Sequence, residues 1–557
     1  MAIQPSRNGT VTKAHVNLMT DTIIANLQPD ALRSVIRSIL TADPSFTSIF
    51  EEHTRNHLQK SSSIYLGALF EHDGTMGWRA TPSFAIAQHR IRAMIGSGLS
   101  FDSLDQIRHI VDQAKSVRLI KGSSGQVELE TLITSVDGDI VQALTAVQKT
   151  LNQPSGQRDF TQGEYKKLDA LFQTLNTCRE EWRFREQEFL FERSLGVVAG
   201  VLAKEVEIAS DEFPQTALTN GDSAGVSTTI EKFQIGSQTL PRLFSGLWQL
   251  SSPSWGVAPK SRIFSQFWRF VGQGFTAYDM ADHYGDAEIL FGKFRSTYSY
   301  PDTIFGSTKY CVFQPITITP KVVHDNVSER CRRLASDHVD LLQFHWQFYE
   351  DKQYIQALRL LQSDNRVRLL GLCNFDTLRL KEVLASGVKI VTNQVQFSLI
   401  DSRPTIKMGK VCQEHGIKLL TYGTLCGGFL AEKWLGQPEP ELFSDSITPS
   451  QRKYFEMILA WGGWTLFQEL LQSLKTIATK HNVAVSNVAT RWVLDFDYVG
   501  AVIVGARMGV SEHGEENLAS YGWRLGDEDQ EQLNAVLARS RRTEIFEVMG
   551  DCGGEYR

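Results

Sequence analysis

Cysteine is scarce and unpatterned. The seven residues, Cys178, Cys311, Cys331, Cys373, Cys412, Cys426 and Cys552, are odd in number and form neither a CxxC pair nor a Cys/His cluster. A disulfide framework and a Cys/His metal site are both excluded, and free thiols in a reducing compartment fit better. Long apolar runs are missing as well, and the opening segment, MAIQPSRNGTVTKAHVN, has no continuous hydrophobic stretch. Neither a membrane span nor a secretory signal is expected, so the sequence predicts a cytoplasmic protein that does not engage membranes. An excess of one charge is lacking too. Lys and Arg number 57 against 63 Asp and Glu, for a net charge of −6 without a long basic run, which argues against nucleic-acid binding. Finally, no GxGxxG leads from a strand into a helix, so the phosphate fingerprint of a Rossmann domain is absent.

What is present is an ordinary globular composition, 42% hydrophobic and 22% charged, in a 557-residue chain too long for one core. Residues 1–209 read as mainly helical. In QPDALRSVIRSIL, Leu32, Val35, Ile36, Ile39 and Leu40 follow helical spacing, and Pro29 suits a first turn. In GDIVQALTAVQKTL, Ile140, Leu144, Val147 and Leu151 share one face, with Asp139 as the expected N-cap. Leu168, Phe172, Leu175, Cys178 and Trp182 mark another apolar stripe. Glu71, His72 and Asp73 are adjacent, and three neighbouring residues do not readily face one ion; a turn before Gly74 explains them without a metal. No residue in this half names a function.

Residues 210–231 are rich in Ser, Thr and Gly without periodicity and read as a flexible linker. From 232 to 545 the texture changes. RLFSGLWQL, FTAYDMA, TIFGSTKY, VDLLQFHW, LLGLCNF, IVTNQVQF, KLLTYGTL and AVIVGAR are eight strand candidates, most of them separated by helical patterns. Strand–helix alternation implies parallel strands covered on both faces, and eight units predict a (β/α)₈ TIM barrel, of the α/β class, behind the helical N-terminal domain. Residues 546–557 are left as a tail.

Such a barrel presents its chemistry at the C-terminal ends of its strands. The second candidate ends in Asp279 with Tyr284 just beyond, the third reaches Lys309, and the fourth reaches His345. Singly, each has an innocent reading as a turn former, a solvated strand end or a packed imidazole. Together they suit one task. A tyrosine of pKa about 10 exchanges protons poorly near neutrality, and a neighbouring ammonium lowers that value. Lys309 supplies the ammonium, Asp279 keeps it charged, and His345 can bond a substrate oxygen. No activated nucleophile is evident, so the set points to carbonyl reduction by general acid catalysis, with hydride from elsewhere.

Over about residues 232–540 the sequence resembles the aldo-keto reductases. YDMADHYGDAEILFGK, STKY and RRLASDHVDLLQFHW are similar to that family's segments around its catalytic Asp, Tyr, Lys and His. The resemblance implies that Asp279, Tyr284, Lys309 and His345 are catalytic and that a nicotinamide cofactor lies across the barrel mouth. In GLCNF, Asn374 matches a carboxamide ligand, while Cys373 departs from the usual serine. Gln394 matches a second carboxamide contact and Tyr422 the aromatic that stacks on the nicotinamide. In IVGARMGVSEHGEEN, Arg507 matches a cation for the 2′-phosphate, Glu516 and Asn517 match residues near adenine, and His513 stands where arginine or glutamine is commoner. NADP(H) is therefore expected over NAD(H), since a guanidinium suits phosphate. Trp248 and Trp346 are candidates for lining the substrate pocket, and the segment after Tyr422 reads as an extended loop on the same face. The expected ligand is a small carbonyl or alcohol. Two other readings stay open: a sugar or alcohol dehydrogenase working oxidatively, and a nucleotide-sensing scaffold whose helical half binds a partner or self-associates.

Overall fold

The computed structural model describes residues 3–5, 11–13, 18–60, 67–74, 77–119, 125–153, 156–205 and 229–556. Most of the expected linker, residues 210–228, lies outside the described residues.

All eight strand expectations are met. Strands β1 (Leu243–Gly246), β2 (Ala277–Asp279), β3 (Phe305–Val312), β4 (Val339–Trp346), β5 (Val367–Cys373), β6 (Thr392–Gln396), β7 (Lys418–Tyr422) and β8 (Val499–Gly505) close into one barrel in chain order. Every neighbouring pair is parallel, β8 returning to β1 through Val502↔Leu243. The lower end is sealed by a hairpin, Lys232–Ile235 with Gln238–Pro241. Its Phe233 packs on Phe244, with ring centroids 6.2 Å apart, and Phe244 meets Phe305. Gly500 is required there, because a Cβ would come within 2.3 Å of the Phe233 ring. The barrel is thus a packed core open for chemistry at its upper end.

The N-terminal domain is helical, as its periodicity implied. Three outer helices, α1 (Leu18–Asn26), α2 (Pro29–Ala42) and α3 (Phe46–Lys60), precede a compact set of α4 (Pro82–Gly96), α5 (Ser100–Ala114), α6 (Gln126–Thr150), α7 (Gln162–Phe184) and α8 (Glu192–Val201). The long α6 runs through the middle, and Ile133, Val136, Ile140, Ala143, Leu144 and Val147 are all buried. Each buried Ile, Val or Leu among them contributes roughly 1.5–3 kcal/mol, which holds the unit together. Asp139 does not cap this helix: α6 begins at Gln126, and the Asp139 carboxylate is buried mid-helix, accepting from Gln88 and Arg92 at 2.8 Å each. Thr161 instead caps α7, in a capping box with Glu164. Glu71 pairs with Arg79, and His72 lies edge-on to Trp78.

The two domains meet along α6 and α8. Gly138 of α6 abuts Pro253, whose Cγ would stand 3.0 Å from any added Cβ. Farther out, the polar side of α2 reaches the extended loop after β7, where Arg37 pairs with Asp445 at 2.6 Å. Val35 and Ile39 on α2 are exposed, while Leu32, Ile36 and Leu40 of the same stripe are half-buried. Among the described residues, no helix is long and apolar enough to cross a membrane.

Candidate active site

At the upper end of the barrel, parallel register sets Asp279 of β2 beside Ser307 of β3, and Lys309 beside Gln343 of β4. Side chains alternate along a strand, so Ser307 and Lys309 point the same way, as do Gln343 and His345. The Lys309 ammonium lies 2.7 Å from Asp279 Oδ2, 2.7 Å from the Met280 carbonyl and 3.3 Å from the Tyr284 hydroxyl. Its three N–H bonds thus have three acceptors. Asp279 Oδ1 accepts from Gln394 at 2.8 Å, Gln343 at 3.1 Å and Ser307 at 3.2 Å. Both members of the ion pair are 3% exposed, and a charge pair so buried persists only with its remaining sites satisfied, as here.

Burial works against the Lys309 ammonium, but Asp279 and Tyr284 outweigh it and hold its pKa above the ordinary lysine value. For Tyr284, desolvation raises the pKa and the Lys309 ammonium offsets only part of that rise. The expected lowering is reversed in sum: the phenol is kept protonated, because a phenolate in this medium loses more hydration than one cation returns. Burial also pushes the Cys373 thiol up to about 12.

His345 occupies the end of β4. Its Nδ1 is 3.1 Å from the Cys373 carbonyl and 3.5 Å from the Asn374 side-chain amide nitrogen, while Nε2 lies 3.4 Å from the Gln347 amide nitrogen. Phe313 stands between the two histidines of this wall, its ring centroid 5.4 Å from His345 and 4.9 Å from His283, which in turn lies edge-on to Tyr284.

Asn374 follows β5 with φ +58°, and its N–H donates to the Gln394 carbonyl at 2.8 Å. Its Oδ1 accepts from the Tyr422 hydroxyl at 2.9 Å. Asp279, Tyr284, Lys309, His345, Asn374, Gln394 and Tyr422 therefore form one connected cluster. Arg507 lies on another part of the rim, exposed, with Nε donating to the Trp255 carbonyl at 2.6 Å. It shares a cleft with Gly138 and Arg193 of the helical domain. Glu516 pairs with His513 at 3.2 Å and accepts from Ser486, and Asn517 belongs to the short helix Gly514–Leu518. Trp248 packs on Trp255 at the exposed lip, its ring tilted by 53° and the centroids 4.4 Å apart. Trp346 does not line the mouth. Alternation after His345 turns its indole into the strand–helix layer, where it is 1% exposed, packs on Phe344 and donates to the Phe348 carbonyl.

A segment the sequence left as a tail crosses this mouth. After the helix Arg542–Met549, the chain turns at Gly550 and lies against Asn374 so closely that a Cβ on Gly553 would be 2.2 Å from the Asn374 carbonyl oxygen. Tyr556 then stands edge-on to His345, 5.5 Å between centroids, with its hydroxyl 3.1 Å from that of Tyr422. Arg403 anchors the segment, binding Glu555 at 2.9 Å and the Asp551 carbonyl at 3.2 Å while paired with buried Asp401. The donors and acceptors suit a nicotinamide nucleotide in type: two side-chain amides, an aromatic face and a rim guanidinium. Tyr556 fills the space between His345 and Tyr422.

Asp282, His283 and Cys311 form the one trio among the described residues with ligand atoms close enough for a metal, within 4.8 Å of one another. Arg330 lies 3.7 Å from Asp282 and burial raises the Cys311 thiol well above its ordinary value, so the trio is unsuited to a cation. Sequence reading missed Ser307 and Gln343, although both stand two residues before a chosen one on the same strand face. It also missed Arg193, Arg403, Glu555 and Tyr556, which carry no local signal.

The family model for the "Aldo/keto reductase family" matches residues 242–538. The chain belongs to that family. No family model matches the N-terminal region. An aldo-keto reductase from Bacillus subtilis, YhdN, is 23% identical over 311 residues, covering 53% of this chain and 89% of that protein. A chloroplastic pyridoxal reductase of Arabidopsis thaliana is 25% identical over 57% of this chain and 89% of its own. Flagellar radial spoke protein 5 of Chlamydomonas reinhardtii is 26% identical over 50% of this chain and 56% of its own. Among solved structures, the glycerol dehydrogenase AKR11B4 from Gluconobacter oxydans aligns with a TM-score of 0.48 at 22% identity, over 56% of this chain and 96% of that one. With these relatives, the aldo-keto reductase is an oxidoreductase at the level of its family.

Proposed function

We propose that this aldo-keto reductase is an NADP-dependent enzyme that reduces an aldehyde or ketone to an alcohol, with Tyr284 as the general acid. The observation that carries the reading is the Lys309 ammonium, held between the Asp279 carboxylate and the Tyr284 hydroxyl. A nicotinamide, when bound, supplies hydride. The chain's own part is the proton. As the carbonyl oxygen becomes an alkoxide, the Tyr284 O–H bond breaks and its proton passes to that oxygen. The phenolate left behind faces the ammonium 3.3 Å away. Gln343, Gln394 and Ser307 hold Asp279, and through it Lys309, so the stabilising charge is in place before the reaction begins. In the oxidative direction the same groups run in reverse. Asn374, Gln394 and Tyr422 are assigned to the nicotinamide, Arg507 to the 2′-phosphate, and Glu516 and Asn517 to the adenine end. Trp248 remains the substrate-side candidate at the lip.

A second reading, a nucleotide-sensing scaffold, draws on Tyr556 across the mouth and on the similarity to a radial spoke protein. One experiment separates the two. NADPH consumption is followed against a panel of aldehydes, sugars and quinones, wild type beside Tyr284→Phe, with nucleotide affinity measured by fluorescence quenching. Turnover that falls by about 10²–10⁴ in the variant, at unchanged affinity, supports the reductase. Nucleotide binding without turnover supports the sensor, and turnover indifferent to the substitution removes Tyr284 as the acid.

A further inference from the structure

We propose that Arg193 of the N-terminal helical domain is a positioning residue for the Tyr284 loop, so that this domain is a built-in part of the active site. The proposal rests on the reading of Tyr284 as the acid.

Arg193, in the first turn of α8, reaches across the domain boundary to Asp286, two residues beyond Tyr284. Its Nε donates to Oδ2 at 2.9 Å and Nη2 to Oδ1 at 2.7 Å, a bidentate fork. The side chains are 4% and 1% exposed, so the pair is buried in the interface. Between Tyr284 and Asp286 lies Gly285, at φ +60°, where an added Cβ would stand 3.1 Å from the Leu250 carbonyl and 3.3 Å from Val141 of α6. From the barrel side, Arg333 donates to the Gly285 carbonyl and, at 2.7 Å, to Glu288. Ile289 packs against the core of the helical domain. The turn from Tyr284 to Ile289 is therefore held from two sides, one of them supplied by the helical domain.

Asp137 of α6 adds a second carboxylate to this junction. Its Oδ1 accepts the Ser194 N–H at 2.9 Å, fixing the start of α8 and with it the approach of Arg193. Asp286 thereby binds a guanidinium that is itself oriented by α6. A fork of two parallel bonds fixes direction as well as distance, and a Tyr284 hydroxyl displaced by about 1 Å costs on the order of 10²-fold in rate.

The test uses the full chain with Arg193→Met, Asp286→Asn and the double variant. Three quantities are read: thermal midpoint, NADPH affinity, and kcat with KM. Hydrogen exchange of the peptide spanning residues 280–289 is measured alongside. Arg193→Met leaves a buried carboxylate unpaired and is expected to lower the midpoint; the double variant, with neither charge, restores it. If Arg193 positions the loop, the folded double variant still exchanges faster at 280–289 and keeps a kcat about 10–100-fold below wild type, with NADPH affinity within about twofold. A double variant that recovers kcat together with its midpoint overturns the proposal, since the pair is then merely structural. Unchanged exchange in that peptide overturns it as well. Absence of turnover in the wild type defeats the reductase reading instead, and the exchange measurement still decides whether Arg193 holds the loop.

Discussion

Asp279 and Lys309 lie on neighbouring strands and are completed by side chains of the barrel itself, whereas the groups just outside them are held by the helical domain and the C-terminal segment. Around Asp279 the partners Ser307, Gln343 and Gln394 come from β3, β4 and β6, where parallel register leaves little freedom. At the rim, the turn after Tyr284 is braced by Arg193, 93 residues earlier than its partner Asp286, and Tyr422 shares a hydroxyl contact with Tyr556, 134 residues later. The floor of the site is thus a property of the fold that any closed barrel of these strands reproduces. The rim is an assembly of segments remote in sequence.

Breaking the floor should have the largest effect. Lys309→Met leaves the Asp279 carboxylate buried without its cation, and roughly 3–5 kcal/mol of unfolding free energy should be lost, read from the denaturant midpoint. A variant as stable as wild type would show that the pair is not buried as described.

At the rim the effects should be smaller and of another kind. Tyr556→Ala empties the space between His345 and Tyr422 while keeping the Arg403–Glu555 anchor. NADPH binding by fluorescence quenching is expected to tighten by about tenfold, equivalent to roughly 1.4 kcal/mol, with little change in stability. Weaker binding would mean that Tyr556 helps hold the nucleotide instead of standing in its place. On the other lip, Arg507→Ala should weaken NADPH by about tenfold and leave NADH nearly unchanged, because the guanidinium would face only the extra phosphate. Equal losses would remove that assignment.

The smallest expected effect belongs to Asp137. Asp137 is fully buried, one of its oxygens has no hydrogen-bond partner, and burial lifts its pKa to about 7 against the opposing pull of Arg193, with Asp286 adding to the rise. A carboxyl with a raised folded-state pKa binds more protons folded than unfolded. Its contribution is therefore complete below the unfolded value near 3.9 and is lost as pH climbs through about 7. Asp137→Asn should flatten that decline in the thermal midpoint between pH 5 and 8; an unaltered slope would show that the group does not titrate there.

Much of this was legible in the sequence for a simple reason. A strand buried on both faces must be short, apolar and followed by a turn, so eight such runs announced the barrel, and polar residues at their ends stood out. Ser307 and Gln343 stand one alternation before Lys309 and His345, which were selected as strand ends, and so were legible from them. Asp139 misled because an acid before an apolar run looks like a cap, while a long helix accommodates a buried acid when Gln88 and Arg92 reach it. Trp346 misled because one step along a strand exchanges the mouth for the helix layer.

The sequence by itself determined the barrel, the helical character of the first domain and the placement of Asp279, Lys309 and His345 near the upper ends of their strands, with Tyr284 just beyond the second, since each depends on a local period or on position along the chain. Only the tertiary structure decided that Arg193 grips the Tyr284 turn and that Tyr556 crosses the mouth. Those contacts depend on how separately folded segments come together, and neither a guanidinium in a helix nor a tyrosine in a glycine-rich tail carries in its neighbours the address of the group it meets.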